Sequence, residues 1–335
     1  MILAGELPAS IAAAAQALRS GALLGLPTET VYGLAADASS DSAVAQIFAA
    51  KGRPSDHPLI VHVADASGIA HFASAVPAFA QALVDAFWPG PLTLILPRRA
   101  GVASAATGGQ NSVGLRCPAH PVALAVLRAC AAQGVWGVAA PSANRFGRVS
   151  PTTAAHVQSE FGADLLVLDG GACSVGIEST IVDCTRGVPV LLRPGAITRT
   201  QIEAACGLRL LSKEELLAHT PRASGTLLAH YAPSAPVRLM DAAALQAALE
   251  ARGADAPALA IYARAPLNHC TPHVVLHPMP AQADATAAEL FAMLRRFDDQ
   301  GAHEIWIETP PGTPDWEGVR DRLQRAAAAT ATSAR

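Results

Sequence analysis

The sequence predicts an α/β fold: a twisted mixed sheet with flanking helices in its first part, then a smaller Rossmann-like α/β unit. Three observations carry this expectation. Between Ala22 and about Gly170, short apolar runs of strand type alternate with segments of helical period. Residues 178–184 and 188–192 then follow one another as two strand-like runs across a turn at Thr185-Arg186-Gly187, which requires antiparallel pairing and hence a mixed sheet. After Pro236 the alternation resumes on a smaller scale.

Taken in order, Ala22-Leu23-Leu24-Gly25-Leu26 reads as a buried strand. The segment after it, Pro27-Thr28-Glu29-Thr30-Val31-Tyr32-Gly33-Leu34, gathers hydroxyls, a carboxylate and a phenol at a strand end, where ligands of open α/β sheets bind. Alone, it is an ordinary turn capped by Thr28. Residues 39–53 read as a helix: Ser40 or Asp41 caps it, Val44, Ile47 and Phe48 recur at helical spacing, and Gly52 suits the left-handed position past its end. Pro54 forces Arg53 out of helical geometry. Residues 58–63 form the next strand, carrying His62, which by general burial habits is an ordinary core histidine. Helices are expected at 78–88, 121–133 and 153–161, and strands at 92–96, 113–116, 135–139 and 165–168.

Residues 207–236 lack a sustained pattern and read as a linker, with a short helix at 213–218. Strands follow at 237–240, 258–262, 273–276 and 304–308, between helices at 242–251, 284–297 and 317–327, with a frayed alanine-rich tail beyond. The expected division is 5–206 as a first domain, 207–236 as a linker or lid and 237–331 as a small second domain. The second domain has no G-x-G-x-x-G phosphate loop, and the chain has no G-x-x-x-x-G-K-[ST], which disfavours a P-loop ATPase. Ser142 follows Pro141 rather than lying in a G-x-S-x-G elbow, so no hydrolase triad is legible.

Composition points to a cytoplasmic enzyme. Hydrophobic residues make up 51% of the 335, a share inflated by alanine, and no apolar run approaches the roughly 20 residues that span a bilayer. No signal peptide is suggested, and the six cysteines are scattered without a C-x-x-C pair, against both a zinc ribbon and a disulfide framework. With 24 basic against 27 acidic residues, the whole chain has no nucleic-acid-binding signature, and tight nucleic-acid binding is not expected.

The most informative segments are Lys51-Gly52-Arg53-Pro54-Ser55-Asp56-His57-Pro58 and, about ninety residues later, Pro141-Ser142-Ala143-Asn144. Two cations around a helix-ending glycine, with a hydroxyl and an amide just past an apolar strand, suit a polyphosphate. The plain alternatives are a cation at a helix C-terminus for Lys51 and a solvated charge for Arg53.

These segments and Gly25-Leu26-Pro27-Thr28-Glu29-Thr30-Val31-Tyr32-Gly33-Leu34, Phe87-Trp88-Pro89-Gly90-Pro91-Leu92-Thr93, Val113-Gly114-Leu115-Arg116, Gly176-Ile177-Glu178-Ser179-Thr180 and Leu192-Arg193-Pro194-Gly195 stand in the order found in the YrdC-like threonylcarbamoyl-adenylate synthases. The resemblance covers about residues 5–206, and His230-Tyr231-Ala232-Pro233 resembles the linker of the long form. It implies that L-threonine and bicarbonate combine as N-carboxythreonine, whose carboxylate attacks the α-phosphorus of ATP to give L-threonylcarbamoyladenylate and pyrophosphate. A downstream transferase would use the product to modify tRNA beside the anticodon.

Lys51, Arg53, Ser142 and Asn144 would then meet the phosphate charge. Carried over from matching positions, Thr30, His62, Arg116, Ala140, Ser142 and Ser179 would line the threonine and carbamate part, and Arg53, His57, Ser112, Ser142, Ser150, Arg193 and Tyr231 would surround ATP. Arg116 is the partner for the threonine carboxylate, which a guanidinium grips with two parallel hydrogen bonds. Each has a plain alternative: Arg116 and Arg193 as surface ion-pair residues, Ser150 as a helix cap, Ser179 as an ordinary strand residue. Mg2+ should arrive with ATP, with no permanent protein site; Glu29 and Glu178 are only remote candidates to help hold it.

Two departures stand out: His57 where many relatives have asparagine, and Ser224-Gly225-Thr226-Leu227-Leu228-Ala229 where many have a glycine-methionine start and a basic residue before the histidine-tyrosine pair. A non-enzymatic RNA-binding module lacks support in clustered basic or stacking residues. A hydrogenase-maturation carbamoyl transferase would need paired C-x-x-C motifs that are missing.

Overall fold

The computed structural model of the chain describes residues 1–215, 221–226, 230–253, 255–268 and 273–333. It divides into two compact units, residues 1–146 with 150–226, and residues 147–149 with 227–335. Of the segment expected as a linker, 207–226 thus groups with the first unit and 227–236 with the second.

The first unit is built on a sheet whose strands are β1 (Ile2–Ala4), β2 (Leu24–Leu26), β3 (Gly33–Asp37), β4 (Ile60–His62), β5 (Leu92–Pro97), β6 (Ser112–Arg116), β7 (Val138–Ala139), β8 (Leu166–Asp169), β9 (Thr180–Asp183), β10 (Val190–Arg193) and β11 (Leu211–Ser212). They lie in the order β1-β8-β2-β3-β7-β4-β6-β5-β9-β10-β11. The sheet is mixed: β4 and β6 are parallel, β7 runs against both β3 and β4, and β9 and β10 form the antiparallel pair that the sequence predicts.

Helices α1 (Pro8–Arg19), α2 (Asp41–Lys51), α3 (Ile69–Phe72), α4 (Ala78–Phe87), α5 (Pro121–Ala131), α6 (Ala154–Phe161) and α7 (Arg199–Cys206) complete this unit. One apolar cluster joins Ile47, Phe72, Leu83 and Leu94; another joins Leu18, Leu24, Val126 and Leu168. Burying both sheet faces in this way supplies most of the driving force for folding.

Several elements escaped the sequence reading. Helix α1 is so rich in alanine that its apolar face has little contrast, and β3 is Gly-Leu-Ala-Ala-Asp, with few residues of high strand propensity. What admits β3 is close approach: a Cβ at Gly33 would lie 3.0 Å from that of Ala140. The short helix expected at 213–218 is a single 3-10 turn, Lys213–Glu215; 216–218 lie outside the described residues.

The second unit carries a parallel sheet of β12 (Val237–Met240), β13 (Leu259–Ala263), β14 (Val274–Pro278) and β15 (Glu304–Glu308), ordered β12-β15-β13-β14, with α8 (Ala242–Glu250), α9 (Ala283–Asp299) and α10 (Glu317–Ser333). The alanine-rich end expected to fray after Ala327 continues as helix to Ser333.

Gly195 packs against the backbone that leads into β9. An added Cβ would lie 2.5 Å from the Thr180 nitrogen and 2.8 Å from the Glu178 carbonyl oxygen. Gly195→Ala is therefore expected to destabilise the chain by about 1–3 kcal/mol, read as a lowered urea midpoint with an unchanged slope.

Candidate active site

Helix α2 sets the first part of the site. The Ser40 side chain accepts from the Ala43 N–H, and Gly52 closes the helix in left-handed geometry at φ 64°, where other residues are strained. Lys51, in the last turn, is only 3% exposed. Its Nζ donates to the carbonyl oxygens of Ser142 at 2.6 Å and Asn144 at 2.5 Å, and its own carbonyl accepts from the Phe146 N–H at 2.8 Å. Burial, and next the charge of Arg53, push its amine down to about 7, while Glu160 and Glu178 pull the other way. A spacing signal for this burial exists in the sequence: Lys51 continues the series Val44, Ile47, Phe48 on the inward face.

The loop that Lys51 grips leaves β7 and is laced to the neighbouring chain. Leu34 N–H donates to the Pro141 carbonyl, and Ala143 N–H donates to the Tyr32 carbonyl, both at 2.8 Å. Arg53 donates to the Pro58 carbonyl at 3.0 Å and lies 5.6 Å from the Phe146 ring centroid, and His57 faces the same ring at 5.6 Å. Burial, and next Arg53, hold the His57 imidazole below its ordinary range.

Register places the other residues. His62 of β4 pairs with Arg116 of β6 at the carboxyl ends of two parallel strands. Ser112, Gly114 and Arg116 share one face of β6 by alternation, and a Cβ at the glycine between would meet the Ile95 side chain at 3.1 Å. Arg116 is 3% exposed; it donates to Thr30 Oγ1 at 2.8 Å and to the Gly90 carbonyl at 3.2 Å, and its Nη2 lies 2.7 Å from Glu29 Oε1. The Glu29 contact is an ion pair without hydrogen-bond alignment, since neither Nη2 nor Oε1 has a well-directed partner. Arg116 is thus a buried cation, not the surface ion-pair residue of the plain alternative. Ala140 N–H donates to the Ile60 carbonyl beside it.

Ser179 shares a 2.8 Å hydrogen bond with Thr93, and both are fully buried. Arg193 donates twice to the Ser179 carbonyl, at 3.0 and 2.8 Å, and once to that of Ser224, at 2.9 Å. Ser150 donates to Glu178 across 2.5 Å and does not cap α6, whose N-cap is Thr153. Thr28, Thr93, Glu29 and the Gly90 carbonyl also belong to this constellation; sequence reading named Thr28 only as a turn cap and Glu29 only as a candidate to help hold magnesium, and assigned Thr93 and Gly90 nothing. For Thr93 the only signal was its place at the end of the Phe87-to-Thr93 motif.

Tyr231 belongs to the second unit. It is 1% exposed, its ring stacks 5.4 Å from Phe291, and the Arg322 guanidinium lies 5.3 Å over it. Among the described residues, no group of three or more His, Cys, Asp or Glu side chains is placed to hold a metal ion, and no helix is long and apolar enough to cross a membrane.

His62 has a stability signature. It is 3% exposed, and burial, followed by repulsion from Arg116, pushes its imidazole down to about 3. The unfolded chain takes up this proton near pH 6.5 while the folded chain refuses it, so stability is intact above that pH and is lost as pH falls from about 6.5 toward 3. His62→Gln should flatten the fall in urea midpoint between pH 7 and pH 5 relative to the unaltered chain.

Comparison with known proteins identifies the family. Residues 16–195 match the family described as Telomere recombination, which groups Sua5, YciO and YrdC, and residues 197–328 match the threonylcarbamoyl-AMP synthase C-terminal domain. Threonylcarbamoyl-AMP synthase of Bacillus subtilis is 38% identical over 328 residues, covering 95% of this chain and 92% of the relative. That of Schizosaccharomyces pombe is 34% identical, covering 90% and 84%. The crystal structure of Pyrococcus abyssi Sua5 complexed with L-threonine superposes with a TM-score of 0.86 at 34% identity, covering 96% of this chain and 94% of that one. The chain therefore belongs to the Sua5, YciO and YrdC family, in the two-part form that ends in a threonylcarbamoyl-AMP synthase C-terminal domain.

Proposed function

We propose that the chain is an L-threonylcarbamoyladenylate synthase. The threonine nitrogen takes up the carbon of bicarbonate with loss of water. One oxygen of the resulting carbamate then bonds to the α-phosphorus of ATP, and the α–β bridging P–O bond breaks to release pyrophosphate. The observation that carries this reading is the pairing of His62 with Arg116 at the carboxyl ends of β4 and β6, with Ser112 on the same face of β6, together with the Ser142–Asn144 loop held by Lys51.

Arg116 receives the threonine carboxylate, exchanging its loosely aligned contact with Glu29 for a two-point grip. His62, neutral at working pH, adds no competing charge beside it. Ser179 and Thr93 offer hydroxyls that donate or accept as the carbamate forms. Arg53, Ser142 and Asn144 face the phosphates, where fixed donors stabilise the charge that develops on the equatorial oxygens. A carbamate is a weak, short-lived nucleophile, so holding it in line with phosphorus substitutes for chemical activation. Magnesium enters as the counterion of ATP. The product suits a downstream transferase that carries the threonylcarbamoyl group to tRNA, with the reaction taking place in the cytoplasm.

Pyrophosphate release is expected to require threonine and bicarbonate together, measured with purified chain, Mg2+ and ATP; ADP formation, or equal turnover without threonine, would sink the reading. Arg53→Ala should slow turnover by on the order of a hundredfold at saturating ATP, because a prearranged charge is lost from a water-poor site, and should lower the urea midpoint only modestly, since the residue lies beyond the end of α2.

A further inference from the structure

Lysine is scarce in this chain. Its 24 basic residues are 22 arginines and two lysines, Lys51 and Lys213. Lys213 is a surface residue beside Glu214, with 43% of its side chain exposed, whereas Lys51 is buried. In a sequence that otherwise uses arginine for its cations, position 51 holds the compact amine. A guanidinium is a wide planar fork; an ammonium fits between two carbonyl oxygens that approach one point from either side.

That is the geometry found. The Ser142 and Asn144 carbonyls, two residues apart, converge on Nζ, and the Lys51 main chain accepts from Phe146. Backbone and side chain of one residue thus hold three positions of a five-residue loop. We infer that Lys51 serves the reaction as a positioning residue: it pins residues 142–146 so that the Ser142 and Asn144 side chains are aimed before ATP arrives, and it does not itself bind phosphate. The inference rests on the synthase reading for what the loop does, though not for the pin itself.

Protonation does not undo the pin. Arg53 on one side and Glu160 and Glu178 on the other are the charged groups that act on the Lys51 amine. Even a neutral amine keeps two N–H donors, and two carbonyls are there to receive them. Loop order should therefore persist across neutral pH.

The test is hydrogen exchange on the unliganded full chain. Lys51→Met should speed exchange at the amides of 143–146 by on the order of tenfold or more and leave α5 and the second unit unchanged. Turnover in the same variant should fall by roughly tenfold or more, yet by less than about twofold when Ser142→Ala and Asn144→Ala are already present, because a residue acting only through the loop has nothing left to position. Unchanged exchange with a raised KM for ATP, or a full multiplicative loss in the triple variant, overturns the inference.

Should Lys51→Met fail to fold, the unaltered chain labelled with 15N-lysine gives two Nζ signals. The Lys51 signal should stay in place when magnesium tripolyphosphate is added, and a saturable shift overturns the pin. Exchange and labelling need no threonine or bicarbonate, so they stand or fall apart from the synthase assay.

Discussion

Buried cations held by backbone carbonyl oxygens are the interaction on which the first unit depends. Lys51, Arg53, Arg116 and Arg193 are each at most 8% exposed, and each donates to a main-chain carbonyl: Ser142 and Asn144, Pro58, Gly90, and Ser179 and Ser224 respectively. A carbonyl oxygen satisfies a donor without cancelling its charge. Burial of such groups is expensive unless they are hydrogen-bonded, which is why every one is tied to the chain. The three arginines thereby hold fixed charge in low dielectric, Arg116 with Glu29 beside it, an arrangement suited to a triphosphate and a carboxylate.

The same ties organise the fold. Three of the cations join strands or loops far apart in sequence: Lys51 joins α2 to the β7 loop, Arg116 joins β6 to the turns after β2 and before β5, and Arg193 joins β10 to Ser179 and to the segment around Ser224. Removing one cation therefore loosens a junction as well as subtracting a charge. Residues that act as a unit in this way couple non-additively, and cycles of paired substitutions separate charge from position better than single changes do.

Much of this was legible from sequence where a local rule governs. The cap at Ser40, the left-handed Gly52 and the antiparallel β9–β10 pair follow from turn chemistry and periodicity. Helix α1 and strand β3 were not legible, because alanine and glycine give neither a periodic apolar contrast nor a strand preference, and only packing decides them. Candidate site residues were named through ordered motifs, but their partners were not. That Arg116 meets Glu29 and Gly90, or that Ser150 meets Glu178, depends on strand order, and strand order is a property of the whole sheet.

Tyr231 shows how a side chain can be fixed by contacts remote in sequence. Its backbone adopts φ 61°, a left-handed conformation that costs a residue with a Cβ about 1–3 kcal/mol. Nothing in His230-Tyr231-Ala232 favours that conformation, since glycine and asparagine are the residues that adopt it readily. The offset comes from the second unit: an aromatic stack on Phe291 and a cation–π contact with the buried Arg322, each worth on the order of 1 kcal/mol, beside the burial of the ring itself. The His230 ring adds a further tie by accepting from the Tyr231 N–H at 2.9 Å. The orientation of this tyrosine is therefore set largely by α9 and α10, which carry Phe291 and Arg322 and lie well beyond it in the sequence.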